Sequence, residues 1–170
     1  ISHDRFESLR RSISDRDRDL DVLLLATAAP ENSEGGDEIK GILQKAAAHA
    51  ATRKVGEPAL LNARLFPDMF PLTRQVQIAT DFARGTGARL SGVEPPAVED
   101  REHSFAELVA RIDVAIAYLH TLPAVNIDGS EAREIKRKVR GVERTFAGID
   151  YLLQYALPNF YFHLATAYAI

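Results

Sequence analysis

FAGIDYLLQYALPNFYFHLATAYAI, Phe146–Ile170, decides the fold. It holds a single charged residue, Asp150. Its apolar residues recur at helical spacing: Ile149, Leu152, Leu153, Ala156, Leu157, Phe160, Leu164, Ala167 and Tyr168. A helix that is apolar almost all round must be surrounded by something other than water. About 25 residues suffice to span a membrane. An internal Asp, Gln, Asn, His and Pro are each unfavourable in lipid. The stretch therefore reads as the central helix of a bundle, wrapped by three partner helices. Pro158 lacks an N–H and clashes with the preceding turn, which predicts a kink at Leu157–Asn159.

Composition bounds the function. The 170 residues suit one domain, with 46% hydrophobic residues for a core and 26% charged residues for a surface. A net charge of −3 argues against a strongly basic binder of nucleic acid or of an anionic membrane. The chain has no Cys, which rules out disulfides, a thiolate nucleophile and Cys-based metal sites. No signal peptide is visible, and residence in the cytoplasm is expected. The chain starts at Ile1 and stops inside an apolar pattern at Ile170, so the natural last helix is expected to run further.

Working outward from the last helix, Glu134–Phe146 alternates apolar and charged residues around Gly141, which predicts a small β-hairpin. A lone hairpin is marginal in water, so it should lie against the bundle. Ser104 with Glu107 forms a capping box that opens a third helix, striped by Phe105, Leu108, Val109, Ile112, Ala115, Ile116 and Leu119 and ending near Leu122. Ala124–Ala132 reads as loop. Pro71–Leu90 is the second long helix, with Leu72, Val76, Ala79, Phe82 and Ala83 inward and Gln75 on the same face. Ser91–Asp100 is a connector. Lys54–Phe70 is a loop with a helical turn at Ala59–Arg64. Asp37–Arg53 is the first bundle helix, striped by Ile39, Ile42, Leu43, Ala46 and Ala50, with His49 on or beside the stripe. Residues 1–36 form a leader, in which Val22–Ala29 reads as a short packed helix before a PENSEGG break; the alternative is that Leu20–Ala29 completes the first bundle helix, interrupted by an exposed loop. The fold class is all-α, a four-helix bundle with a small β-hairpin before the last helix, the bundle domain covering 37–170.

Two motifs resemble a known family. Asn62–Ala79 (NARLFPDMFPLTRQVQIA) and Asp150–Tyr168 (DYLLQYALPNFYFHLATAY), with Lys45–Ala50 (KAAAHA) and Gly92–Pro96 (GVEPP), resemble an uncharacterised domain-of-unknown-function family in the DinB/YfiT-like superfamily of metalloenzymes. The resemblance runs from Ile39 to Ile170 and implies a DinB-like four-helix bundle, often a homodimer. The wider superfamily is similar to thiol-dependent S-transferases and a maleylpyruvate isomerase, which hold a metal on three His, one on the second helix and two on the last. Here Gln75 and Gln77 stand on the second helix, and the His pair would fall near Pro158 and Phe162. The resemblance therefore implies no metal triad, and no cofactor is expected.

The candidate ligand pocket is His49, Gln75, Tyr155 and His163. Two His from separate helices with Gln75 can make a polar pocket in a bundle, and imidazole can bind metal or move protons near neutral pH. Tyr151, Tyr155, Tyr161 and Tyr168 read as packing rings. Asp150 reads as a partner of the helix dipole, and Asp68 and Arg74 as tethers of the second helix. Lys136, Arg137, Lys138, Arg140 and Arg144 make the hairpin basic, but Glu131, Glu134 and Glu143 interleave with them. That pattern reads as a charged strand face that protects an edge. The first functional reading is a metal-free small-molecule binder. The alternatives are a transferase- or isomerase-type enzyme using His49 or His163 as acid–base or as ligand to a divalent metal, and a non-catalytic dimerising module.

Overall fold

The computed structural model describes residues 35–170. The expected leader, with its apolar segment at Val22–Ala29, lies outside the described residues, apart from Gly35 and Gly36, which open the first helix. Four long helices form the bundle: α1 (Gly35–Arg53), α3 (Leu72–Leu90), α4 (Phe105–His120) and the composite α6 (Gly148–Ala169). Two short helices, α2 (Glu57–Leu61) and α5 (Ala124–Ile127), sit in connections, so the stretch expected as loop at Ala124–Ala132 contains one helical turn. Strands β1 (Glu134–Val139) and β2 (Val142–Ala147) form the predicted hairpin, antiparallel with Ile135 opposite Phe146. Its two-residue turn has Arg140 at φ 49 and Gly141 at φ 84, the left-handed pair that matches the strand twist.

Helix α3 is the hub. It packs against α6 and α4, while α1 closes the ring against α4 and, more lightly, α6. The core has two parts. One, around Leu43, Leu72, Val76, Phe105 and Leu108, lies toward the start of α3. The other, around Leu119, Ile127, Ile135, Tyr151 and Phe160, lies toward its end and takes in the hairpin. Ser104 accepts from the Glu107 N–H while Glu107 reaches back to the Ser104 N–H, completing the predicted capping box at the start of α4.

The last helix departs from expectation in two ways. It opens with Gly148–Asp150, runs as a π-helix over Tyr151–Ala156, and becomes α-helical over Leu157–Ala169. The disturbance thus falls one turn before the predicted kink at Leu157–Asn159. Pro158 has no N–H to offer the carbonyl one turn back, and its ring crowds that carbonyl. The backbone widens upstream instead, and the Leu157 N–H donates to Leu152 O, five residues back. Pro158 itself then sits in the first turn of a fresh α-helix, where no N–H is needed. The second departure is exposure. Leu153, Tyr161, Phe162 and Tyr168 face outward, Tyr168 at 72% exposure. The segment is therefore wrapped on one side, not all round.

Gly148 fixes the join between hairpin and helix. A Cβ at this position would run into the carbonyl oxygen of Ser130, and the neighbouring Ile149 N–H donates to Glu131 O at 3.0 Å. Gly41, in the middle of α1, has open space within 4 Å of the place a Cβ would take. Gly148→Ala is expected to destabilise by ~1–3 kcal/mol through overpacking, and Gly41→Ala to stabilise by ~0.5–1 kcal/mol through helix propensity. Urea denaturation of both variants checks the pair; equal midpoints would contradict the assigned close approach.

Candidate functional site

The site is built on the seam between α3 and α6. Helical spacing on α3 puts Gln75 and Phe82 toward α6, and the new α-helical register after Pro158 turns His163 back toward them. Gln75 is buried, at 1% exposure. Its amide Nε2 donates to the Phe70 carbonyl at 3.1 Å. Its Oε1 lies 2.7 Å from His163 Nδ1. Since the Gln75 oxygen can only accept, His163 must carry its proton on Nδ1 and donate. The neutral ring then presents a lone pair at Nε2. No partner for Nε2 is found among the described residues.

Burial, and then the nearby positive charge of Arg74, push the His163 pKa below its ordinary value. Both favour the neutral ring. Phe82 stacks on the imidazole with ring centroids 6.1 Å apart, and Phe162 meets it edge-on at 5.1 Å. Tyr155 joins through the same Phe82, at 5.8 Å, and also packs on Phe146 and Tyr151. Asn159, one turn before His163, is turned inward on its own helix and donates to Tyr155 O at 2.6 Å.

Gln75, His163 and Tyr155 are thus gathered on one seam. His49 is not among them. It is exposed on α1, where the helical pattern predicts a buried face. The buried stripe of α1 runs through Ile39, Leu43 and Ala50, while Ile42 and Ala46, the neighbours of His49 on the helix, are only half-buried. The bundle interior holds a small apolar cavity of about 30 Å³ bordered by Val76, Ala79, Ile112, Phe160 and Leu164, room for about one water. His163 does not line it. The site is accordingly a surface seam and not an enclosed bundle pocket.

A second polar centre escapes the sequence reading. Arg111 of α4 is buried and donates from Nε to Thr80 at 2.9 Å, from Nη2 to Asp81 at 2.8 Å, and from Nη1 to Glu102 at 2.9 Å. Asp100 completes the ion cluster at 3.0 Å. Gln77 donates to Glu102 at 2.8 Å, Arg84 pairs with Asp81 at 2.5 Å, and Arg74 pairs with Asp100. The sequence reads Arg74 as a tether of the second helix; its ion-pair partner is Asp100 of the connector. Burial opposes the charged form of Glu102, but hydrogen bonds from Arg111 and Gln77 outweigh it and hold the carboxyl below its usual range. Burial likewise opposes the Arg111 charge, and Glu102, Asp81 and Asp100 raise its pKa in spite of it. A signal is present: Arg111 sits between Leu108, Ile112 and Ala115 on the apolar stripe of α4, and the acidic run Glu99–Glu102 precedes that helix.

Among the described residues, no group of three or more His, Cys, Asp or Glu is placed to share an ion. His163 keeps Nε2 without a partner among the described residues, and Arg74 sets positive charge nearby. Among the described residues, no helix is long and apolar enough to cross a membrane.

Comparison with known proteins agrees with the fold. The model of a family described as a domain of unknown function, DUF1993, matches residues 24–170. The match reaches further toward the N-terminus than the stretch from Ile39 that carried the resemblance. The crystal structure of a DinB family member protein from Shewanella denitrificans is similar, with 33% identity, a TM-score of 0.73, and coverage of 88% of this chain and 81% of that one. No curated protein matches the chain.

The depressed His163 pKa has a readable consequence. Folding favours the neutral ring, so its contribution to stability is complete above the unfolded value of 6.5 and is lost as pH falls below it through the folded value. Wild-type protein is expected to lose stability between pH 6.5 and the carboxylate range near 4.5. His163→Gln is expected to lose less over that interval. NMR titration of the imidazole gives the direct check, and Arg74→Gln should raise the measured value; a His163 titrating at or above 6.5 would contradict the assignment.

Proposed function

We propose a small-molecule-binding role, from the premise that the chain belongs to the DUF1993 family, a domain-of-unknown-function family with the DinB-like bundle. One observation carries the reading: the relay from Phe70 O through Gln75 to His163. It fixes the tautomer of the ring, with Nδ1 protonated, and burial with the nearby Arg74 charge favours the neutral form, leaving Nε2 as an acceptor directed away from Gln75. The rings of Phe82 and Phe162 pack on that imidazole. A lone acceptor between apolar faces suits a small aromatic or aliphatic molecule carrying one O–H or N–H donor. Tyr155 extends the apolar wall, and His49 plays no part. No metal or other cofactor belongs to this reading. A transferase or isomerase reaction would ask the same His163 nitrogen to act as a base. We prefer binding, since no carboxylate, hydroxyl or lysine hydrogen-bonds the ring among the described residues. Absence of Cys is in keeping with a cytoplasmic protein.

Phenol serves as the probe. It is expected to raise the melting temperature of the wild-type chain in a concentration-dependent way, and anisole, which lacks the donor, is expected to do so less. His163→Phe keeps the ring and removes the acceptor, so it should abolish the difference between the two. If phenol and anisole act alike on wild type, the acceptor role is wrong.

A dimerising role is favoured by a separate observation, the outward row of Leu153, Tyr161 and Tyr168 on α6. Leu153 lies about two turns before Tyr161, and Tyr161 about two turns before Tyr168, along one face. We propose that a second copy of this chain covers it across a two-fold axis. Sedimentation of wild type as a dimer, and of Tyr168→Glu as a folded monomer, is the expected result; a monomeric wild type would exclude the reading.

A further inference from the structure

We infer that the hairpin end of the bundle carries a site for a small phosphate-bearing molecule. An open groove of about 380 Å³ runs between the C-terminal end of α3 and strand β1, within the range of small-ligand sites. Five cationic residues line it: Arg89, Arg133, Lys136, Arg137 and Lys138. Two carboxylates, Glu94 and Glu134, line it as well. The groove is separate from the His163 seam.

Two of the cations are held in place by the fold. Arg89 donates to Gly85 O at 2.8 Å and to the Tyr151 hydroxyl at 3.4 Å. Arg133 donates to the carbonyls of Leu90 and of Asn126, the latter at 3.1 Å. Gly92, at φ 76, keeps the chain beside it free of a side chain. Lys136 pairs with Glu134 at 3.2 Å on the open surface. Arg137 and Lys138 form no ion pair among the described residues, although Glu143 stands opposite Lys138 in the ladder.

Arg137 is the informative residue. It lies directly across the ladder from Arg144, and like charges in that position oppose pairing. Its Nε is buried and has no hydrogen-bond partner among the described residues. A buried donor without an acceptor is unfavourable. A compact dianion in the groove offsets the like charges of Arg137 and Arg144 and offers the guanidinium an acceptor. The planar guanidinium fork matches phosphate oxygens. Glu94 and Glu134 at the same groove set it against an extended polyanion, which favours a single phosphate group over a nucleic-acid backbone.

The full chain is titrated with inorganic phosphate, with glycerol 2-phosphate, and with sodium chloride at matched ionic strength, following thermal denaturation and heat of binding. Phosphate is expected to raise the melting temperature beyond the chloride control. Arg137→Gln is expected to be at least as stable as wild type without phosphate, because the clash with Arg144 is gone. It should bind phosphate roughly tenfold or more weakly, the loss of a charge-assisted hydrogen bond. Tighter binding of glycerol 2-phosphate assigns the site to a phosphomonoester, and equal binding assigns it to free phosphate. Equal responses to phosphate and chloride overturn the proposal. So does an equal loss on removing the remote, exposed Lys45 (Lys45→Gln), which would mark a diffuse charge effect.

Discussion

Helix α3 buries Gln75, Gln77, Thr80 and Arg84 along with its apolar side chains. A buried polar group without a partner is costly, so the position of these four dictates what may pack around them. On one side the answer is Arg111, whose guanidinium takes Thr80, Asp81, Glu102 and Asp100 together. On the other it is His163, which donates to Gln75. The hub helix is thereby pinned to α4, to the acidic connector and to α6 by directional bonds. Apolar contact alone would allow these helices to slide. Buried ion pairs add little net stability against an apolar replacement; here their geometry ties the connector, at Glu99 and Asp100, to one place on the bundle.

The π-helical stretch connects backbone chemistry to the seam. Without it, the residues after Pro158 would continue the register of Tyr151–Ala156, and His163 would point elsewhere. One residue is added to a turn at Tyr151–Ala156, which rotates everything downstream by about 100°. The rotation brings His163 to Gln75 and leaves Tyr161, Phe162 and Tyr168 outward. A single proline thus sets both the polar seam and the bare apolar face. The hairpin plays a comparable part at the opposite end, where Ile135 enters the core and carries the basic strand up against the end of α3.

Much of the architecture was legible from residue pattern. The capping box at Ser104–Glu107, the Pro71 start of α3, the hairpin around Gly141 and the four helical stripes all follow from local chemistry, and local chemistry is what a sequence displays. Gln75 and His163 were legible as candidates because each is a polar residue on an apolar stripe. His49 looks the same by that criterion, yet it is exposed, since a helical wheel does not say how wide the covered face will be. Arg111 does not stand out because a long cationic side chain near a stripe ordinarily reaches water; only the arrival of Asp81, Asp100 and Glu102 from other segments makes burial of its charge tolerable.

The chain's own pattern determined that there would be four amphipathic helices, where they start, and that a short two-stranded turn would precede the last. These depend on neighbours three or four residues apart and on capping groups within one turn. Tertiary structure alone decided which polar residues meet between helices, the protonated nitrogen of His163, the burial of Arg111, and the placing of Arg137 beside the end of α3. Each of these joins residues far apart along the chain, and their distances and desolvation come into being only when the helices are packed.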